Sequence, residues 1–368
     1  MHALVPSARL FAGIVLTTAV AAPVGAQQTE RYALAGSNVA VYNLAGEVSI
    51  EAGSGPEVVV ELARGGADAG KLEVDIGDID GWQSLRVIYP SDRVVYPRAG
   101  VLSRTNVRVR SDGTFGRINM PGVADQRRDI LAFGRARGEQ VRISGSGGGL
   151  EAYADMRVLV PPGQRIAVFL GVGRAIVSNV EGDLLVDVVS ASIEARGTRG
   201  WLRLDTGSGA IDLRDAEGEV ILDTGSGRIQ ATSVRGPRLV MDTGSGRVEA
   251  SGIDVDALRV DTGSGSVTLS DVSARTIEVD TGSGAVRLGL LSDVDDVKID
   301  TGSGGVTLMV PETLGAEIVI ETGSGGITLD APVQVREIRR NRFRGTIGDG
   351  HGRIEIDTGS GSVRLVRG

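Results

Sequence analysis

The five residues Asp-Thr-Gly-Ser-Gly begin at Asp205, Asp223, Asp242, Asp261, Asp280, Asp300 and Asp357, and Glu321 opens a variant copy, Glu-Thr-Gly-Ser-Gly. Up to Glu321 the steps between copies are 18, 19, 19, 19, 20 and 21 residues. A unit this short cannot bury an apolar face by itself. A chain with this period therefore folds as a stacked array in which each copy closes one turn.

The flanks give each turn its internal structure. With the Asp as position zero, positions -3 and -1 are apolar, as in Leu258 and Val260, Ile277 and Val279, or Ile354 and Ile356. Positions +6 and +8 are apolar too, as in Val267 and Leu269 or Val363 and Leu365. The residues between them are mostly polar, such as Arg259, Thr268 and Glu278. Alternation with period two on both sides of a turn is a strand, a tight Thr-Gly-Ser-Gly bend and a second strand. The expectation is an all-β, single-stranded parallel β-helix or β-solenoid with rungs of about 18–21 residues, stacked at the strand spacing of about 4.8 Å. Glycine serves the bends through positive φ or close backbone approach. The Asp is expected to accept turn N–H groups, and Thr and Ser to pair with their own copies in neighbouring turns.

Weaker copies extend the array backwards through Asp187 and through Phe169 to Ile176, and a degenerate turn is expected around Arg344-Gly345-Thr346-Ile347. The organisation expected is a leader at 1–26, an irregular β region at 27–165 and regular repeats at 166–368. Within the irregular region, Val39 to Glu51 has the same strand-Gly-strand layout, whereas 97–140 is Arg-rich, lacks the period and reads as a long insertion or loop.

Leu10 to Ala22 is apolar, Arg9 precedes it, and Val24-Gly25-Ala26 places small or medium residues before a cut at Gln27. That is the pattern of an export signal, and it is too short to span a bilayer comfortably. The expected location is periplasmic, secreted or cell-surface associated, with no transmembrane segment in the mature chain.

Composition removes several function classes. There is no cysteine, so disulfides, thiolate nucleophiles and Cys-ligated zinc have no material. Only His2 and His351 are histidine, and the net charge is -8, which speaks against a nucleic-acid surface. Aromatic residues are 3% of the chain, so the core must be filled by Val, Ile, Leu and Ala.

The layout resembles the DUF4097 family of bacterial exported proteins, which carries an adhesin label. The resemblance rests on Val41-Tyr42-Asn43-Leu44-Ala45-Gly46-Glu47-Val48, on Val158-Leu159-Val160-Pro161-Pro162-Gly163, on the Ser-Gly turns, and on Gly345-Thr346-Ile347-Gly348-Asp349-Gly350 followed by Ile354 to Gly361. It implies a β-helical fold and brings no catalytic residues. A cell-envelope glycan or a surface protein is the partner class it suggests.

The repeat also invites chemical readings. Asp-Thr-Gly-Ser resembles an aspartic-protease signature, but those enzymes oppose two carboxylates across a cleft, whereas here seven copies recur once per turn. The line Asp205, Asp223, Asp242, Asp261, Asp280, Asp300, Glu321 and Asp357 is a candidate ligand ladder for Ca²⁺, whose oxygen ligands commonly sit on turns. Alternatively turn N–H groups, Thr hydroxyls or nearby Arg228 and Arg247 offset the repulsion. A row of Thr and Ser hydroxyls is a candidate flat surface for carbohydrate or ice. Finally Arg336, Arg339, Arg340, Arg342, Arg344 and His351 crowd residues 331–353, where a polysaccharide lyase or hydrolase would break its repeat. The reading favoured by the residues is a non-catalytic, exported scaffold displaying a repeated Asp/Thr/Ser edge.

Overall fold

The computed structural model describes residues 29–122 and 138–368, so the expected leader at 1–26 lies outside the described residues. What is described is all-β and solenoid-like, with helical geometry confined to single 3₁₀ turns at Ala69–Lys71 and Pro97–Ala99. No described helix is long and apolar enough to cross a membrane.

The long strands Ile229–Thr243, Val248–Thr262 and Val267–Thr281 each run through most of one turn and pair in parallel with the next. Ile211 faces Ile229, Ile229 faces Val248, and Val248 faces Val267, so equivalent repeat positions stack. Alternation then sends the same positions inward on every turn. Leu204, Leu222, Met241, Val260, Val279 and Ile299 form one buried column, and Leu213, Ala231, Ala250, Leu269 and Leu288 form another. Each buried aliphatic side chain contributes roughly 1.5–3 kcal/mol relative to exposure, so these columns are the main stabilising term.

Two backbone devices shape the turn. Asn179, Gly197, Asp215, Ser233, Gly252 and Asp271 all have φ between 54° and 64°. They form a left-handed corner column filled by residue types that tolerate that region. The glycines that close Asp-Thr-Gly-Ser-Gly serve a different purpose, and positive φ is not it. A Cβ on Gly227, Gly246, Gly265 or Gly284 would lie 1.6–1.7 Å from the carbonyl oxygen of the glycine one turn below. Stacked backbones approach too closely there for any side chain.

Chain order and stacking order part company at the ends. The strand Gly352–Thr358 lies between Asp296–Thr301 and Ala316–Thr322, parallel to both, so Asp357 is seated between Asp300 and Glu321. The segment expected to form a degenerate turn around Arg344 to Ile347 is instead the strand Arg342–Ile347. It runs antiparallel to Ala316–Thr322, and Gln334–Arg339 is antiparallel to it in turn. This hairpin caps the stack. The opposite end closes in the same manner. Trp82–Ile88 and Tyr153–Val160 both stack in parallel on Asn38–Ala52, and Glu73–Ile79 and Val58–Gly65 cap them antiparallel.

The boundary at 165/166 falls inside one continuous sheet, because Asn38–Ala52 pairs in register with Gln164–Ser178. Buried Asn43 is the latch of this region. Its amide donates to the Ala45 and Ala154 carbonyls, and Tyr89 Oη donates to its Oδ1 at 2.7 Å. Part of 97–140 is ordered: Arg104–Val109 joins Glu139–Ser144, Arg93–Val95 and Leu150–Glu151 in a separate four-stranded sheet. In the irregular segment that follows Arg104–Val109, Phe115 packs edge-on against Tyr42 and Phe169, which stack 4.7 Å apart. Residues 123–137 of that segment lie outside the described residues.

Candidate functional site: the acidic ladder

Position zero of every repeat falls on one line. Asp187 faces Asp205, Asp205 faces Asp223, and the line continues through Asp242, Asp261, Asp280, Asp300, Asp357 and Glu321. All eight carboxylates expected from the repeat are thus brought into one column. Asp187, whose own turn lacks the motif, is a ninth. The only change in order is Asp357, placed ahead of Glu321 by the inserted strand.

Each end of the column is closed by chemistry of another kind. Above Asp187 stand Phe169, Tyr42 and Arg86. Phe115 covers the two rings, and the neighbouring Gly116 abuts Asp187. Below Glu321 stands Arg342, with its guanidinium 2.9 Å from the Glu321 carboxylate. Within the column Arg203 bridges Asp205 and Asp223 at 3.0 and 3.2 Å. The sequence pointed to Arg228 and Arg247 as partners, but Arg247 pairs with Glu249 instead. Position -2, which Arg203 occupies, lies on the same face as position zero. That spacing was the available signal. From Asp242 through Asp261, Asp280, Asp300 and Asp357 no carboxylate has a hydrogen bond or ion pair among the described residues.

The turn is built by threonine and not by aspartate. Thr243, Thr262 and Thr281 are 0–1% exposed. Each Oγ1 accepts the N–H of the glycine three residues on, at 3.0 Å, and donates to a glycine carbonyl of the turn below, at 3.1–3.3 Å. This corrects two expectations. The Asp carboxylates in the open stretch accept no turn N–H, and the threonines do not pair with one another. It also removes the motif threonine from any displayed surface, because position +1 has the inward parity of -1 and -3. The edge that faces solvent is Asp with Ser, the serines at 245, 264, 283 and 303 standing exposed at the turn tips.

Like charges this close disfavour ionisation. Burial, with the Asp205 charge second, pushes the Asp187 carboxyl up to about 7. Asp223, Asp261 and Asp357 are raised too, in each case by burial first and then by neighbouring carboxylates of the column. A different outward column shows that the fold does not require like charges. Glu181, Arg199, Glu217, Arg235 and Asp254 face one another in sequence and alternate in sign.

Other candidate chemistry is dispersed. Among the described residues no three Asp, Glu or His side chains form a group that could hold a metal ion, since the ladder is a line and not a cage. The Arg-rich segment is the capping hairpin. There Arg336 pairs with Glu317, Arg339 with Glu337 and Arg342 with Glu321, and the strand Gln334–Arg339 is largely exposed.

Residues 159–366 match the family model described as Toastrack DUF4097. No curated protein matches the chain. Among solved structures, a "putative cell adhesion protein" from Clostridium sporogenes ATCC 15579 aligns over 93% of this chain and 99% of its own, at 10% identity and a TM-score of 0.20.

Proposed function

The chain belongs to the Toastrack DUF4097 family, and from that premise we propose that it is an exported, non-catalytic scaffold. Its architecture on this reading is a parallel β-solenoid with turns of 18–21 residues, and its working surface is the acidic ladder. The role is adhesin-like: a stiff rod in the periplasm, in secreted form or on the cell surface presents one carboxylate per turn to a cell-envelope glycan or a surface protein.

One observation carries the proposal. Five successive carboxylates, from Asp242 to Asp357, share a column without hydrogen bonds or ion pairs among the described residues, while the Thr and Gly beside them hold the turn together. Like charges at this spacing repel by nearly 1 kcal/mol per neighbour in water. A feature that costs stability and builds nothing is best accounted for by what it meets outside the molecule. Regular spacing suits a repetitive or cationic partner, since many weak contacts add through effective concentration.

The test is a glycan and cell-surface binding screen of the chain beside a variant with Asp→Asn at positions 242, 261, 280 and 300. The proposal expects binding that the variant loses and that salt weakens. Cleavage of a polysaccharide by the parent chain, or equal binding by both proteins, would overturn it.

A further inference from the structure

The sheet that bears the ladder has an open edge at each end. At one end Glu73–Ile79 pairs with Trp82–Ile88 and with no other described strand. At the other, Gln334–Arg339 pairs with Arg342–Ile347 alone. An unpaired edge is a template for another strand, and proteins commonly guard such edges with charge. Here the guards have opposite sign. Glu73, Asp75, Asp78 and Asp80 stand on or beside the first edge, and Arg336, Arg339 and Arg340 outnumber the single Glu337 on or beside the second. Each edge therefore repels its own kind and attracts the other.

The columns bring the two edges into register. The ladder column begins Asp75, Arg86, Tyr42 and ends Glu321, Arg342, Arg339. The core column next to it begins Ile76, Leu85, Val41 and ends Ile320, Phe343, Ile338. Ile76 and Ile338 occupy inward positions yet are 38% and 67% exposed, because no layer follows them. Val335, 55% exposed, ends a third core column above Gly345 and Ile318. Strand direction agrees as well. Glu73–Ile79 runs against the array, whereas Gln334–Arg339, antiparallel to an antiparallel strand, runs with it. A second copy shifted along the axis thus presents the antiparallel partner that each edge lacks.

The ends are also stepped in opposite senses. On the ladder side two strands project beyond Ala316–Thr322, while the other side stops at Ile327–Asp330. At the far end the other side projects further, because Thr29–Leu34 lies outside Val58–Gly65. Laid end to end the steps interlock to within one strand.

We propose that these two edges bind each other in different copies of the chain. Glu73–Ile79 of one copy adds antiparallel to Gln334–Arg339 of the next, with Asp75 facing Arg339 and Ile76 facing Ile338. The contact is heterologous, so it propagates as an open linear assembly instead of closing as a dimer, and it continues the acidic ladders along one filament.

Sedimentation velocity of the full chain over a concentration series reaching the order of 100 µM tests this, since a contact confined to two strand edges belongs to the weak class. Species larger than dimers are expected to grow with concentration and to shrink when NaCl is raised. Ile76→Asp and Ile338→Asp each block one end. Both side chains are exposed, so the variants are expected to keep the parent's circular dichroism and melting temperature. Each variant alone should be monomeric, and an equimolar mixture should give one discrete dimer through the two intact ends. A parent that stays monomeric throughout, a parent that stops at a dimer, or a mixture that remains monomeric would each overturn the proposal. Loss of glycan binding without loss of assembly would bear only on the ladder.

Discussion

Replacing Thr262 by Val tests what holds each turn closed. The substitution keeps the branched shape and removes the hydroxyl. In the native fold Oγ1 accepts the Gly265 N–H at 3.0 Å and donates to the Gly246 carbonyl at 3.3 Å, with Thr262 1% exposed. Valine leaves both backbone groups without their partner in a place water does not reach. A stranded buried polar group costs about 1–3 kcal/mol, so the pair should cost about 2–6 kcal/mol. Thr262→Ser keeps the hydroxyl and gives up one methyl, worth about 0.8 kcal/mol before any cavity term. Urea unfolding of the three proteins gives the global comparison. Long repeat arrays can lose two-state behaviour, so hydrogen exchange at the Gly265 amide supplies the local one. Val should be the less stable variant, with faster exchange at Gly265. If Val matches or exceeds Ser in stability, threonine is not the turn's fastener and the turn must be explained by glycine packing alone.

Gly265→Ala should destabilise by about 2 kcal/mol or more, as seen in the urea midpoint, because its Cβ would sit 1.6 Å from the Gly246 carbonyl oxygen and overpacking of this kind typically costs about 1–3 kcal/mol. Tyr89→Phe should cost about 1–3 kcal/mol in the same assay, since it removes the hydroxyl that donates to buried Asn43. Asp187 carries a pH signature. Its carboxyl is raised to about 7 in the fold from an ordinary 3.8, so the folded state binds more protons than the unfolded one between those values. Its contribution is fully present below about pH 4 and lost as pH rises through about 7. Asp187→Asn should therefore melt higher than the parent at pH 8, by up to about 4 kcal/mol in stability, and hardly differ at pH 4. A variant equally stabilised at both pH values would show that the carboxyl is not held protonated.

The regular turns were legible because their information is local. Period, alternation and glycine placement recur in every copy, and the observed register, Asp on Asp and Thr on Thr from turn to turn, follows from stacking equal units. The inward place of Thr262 was legible too, since -3, -1 and +1 share one parity, yet the hydroxyls suggested display. What a period cannot encode is which turn lies beside which. Asp357 follows Glu321 in sequence but precedes it in the stack, because Gly352–Thr358 gains partners on both sides only by inserting there. Asn43 and Tyr89 belong to the same class of fact, being 46 residues apart and joined by a side-chain hydrogen bond, with Ala154 a still more distant partner of Asn43.

The same spacing that makes the ladder visible makes it costly, and this sets the decisive comparison. The Asp→Asn variant at positions 242, 261, 280 and 300 relieves repulsion between neighbours without disturbing a hydrogen bond among the described residues. Melting temperature and partner binding should be measured on one preparation of this variant and its parent. The expected outcome is a higher melting temperature together with lost binding, a surface kept at the expense of stability. A higher melting temperature with binding unchanged would reduce the ladder to a by-product of the turn, and a lower one would mean that the aspartates hold the solenoid together after all.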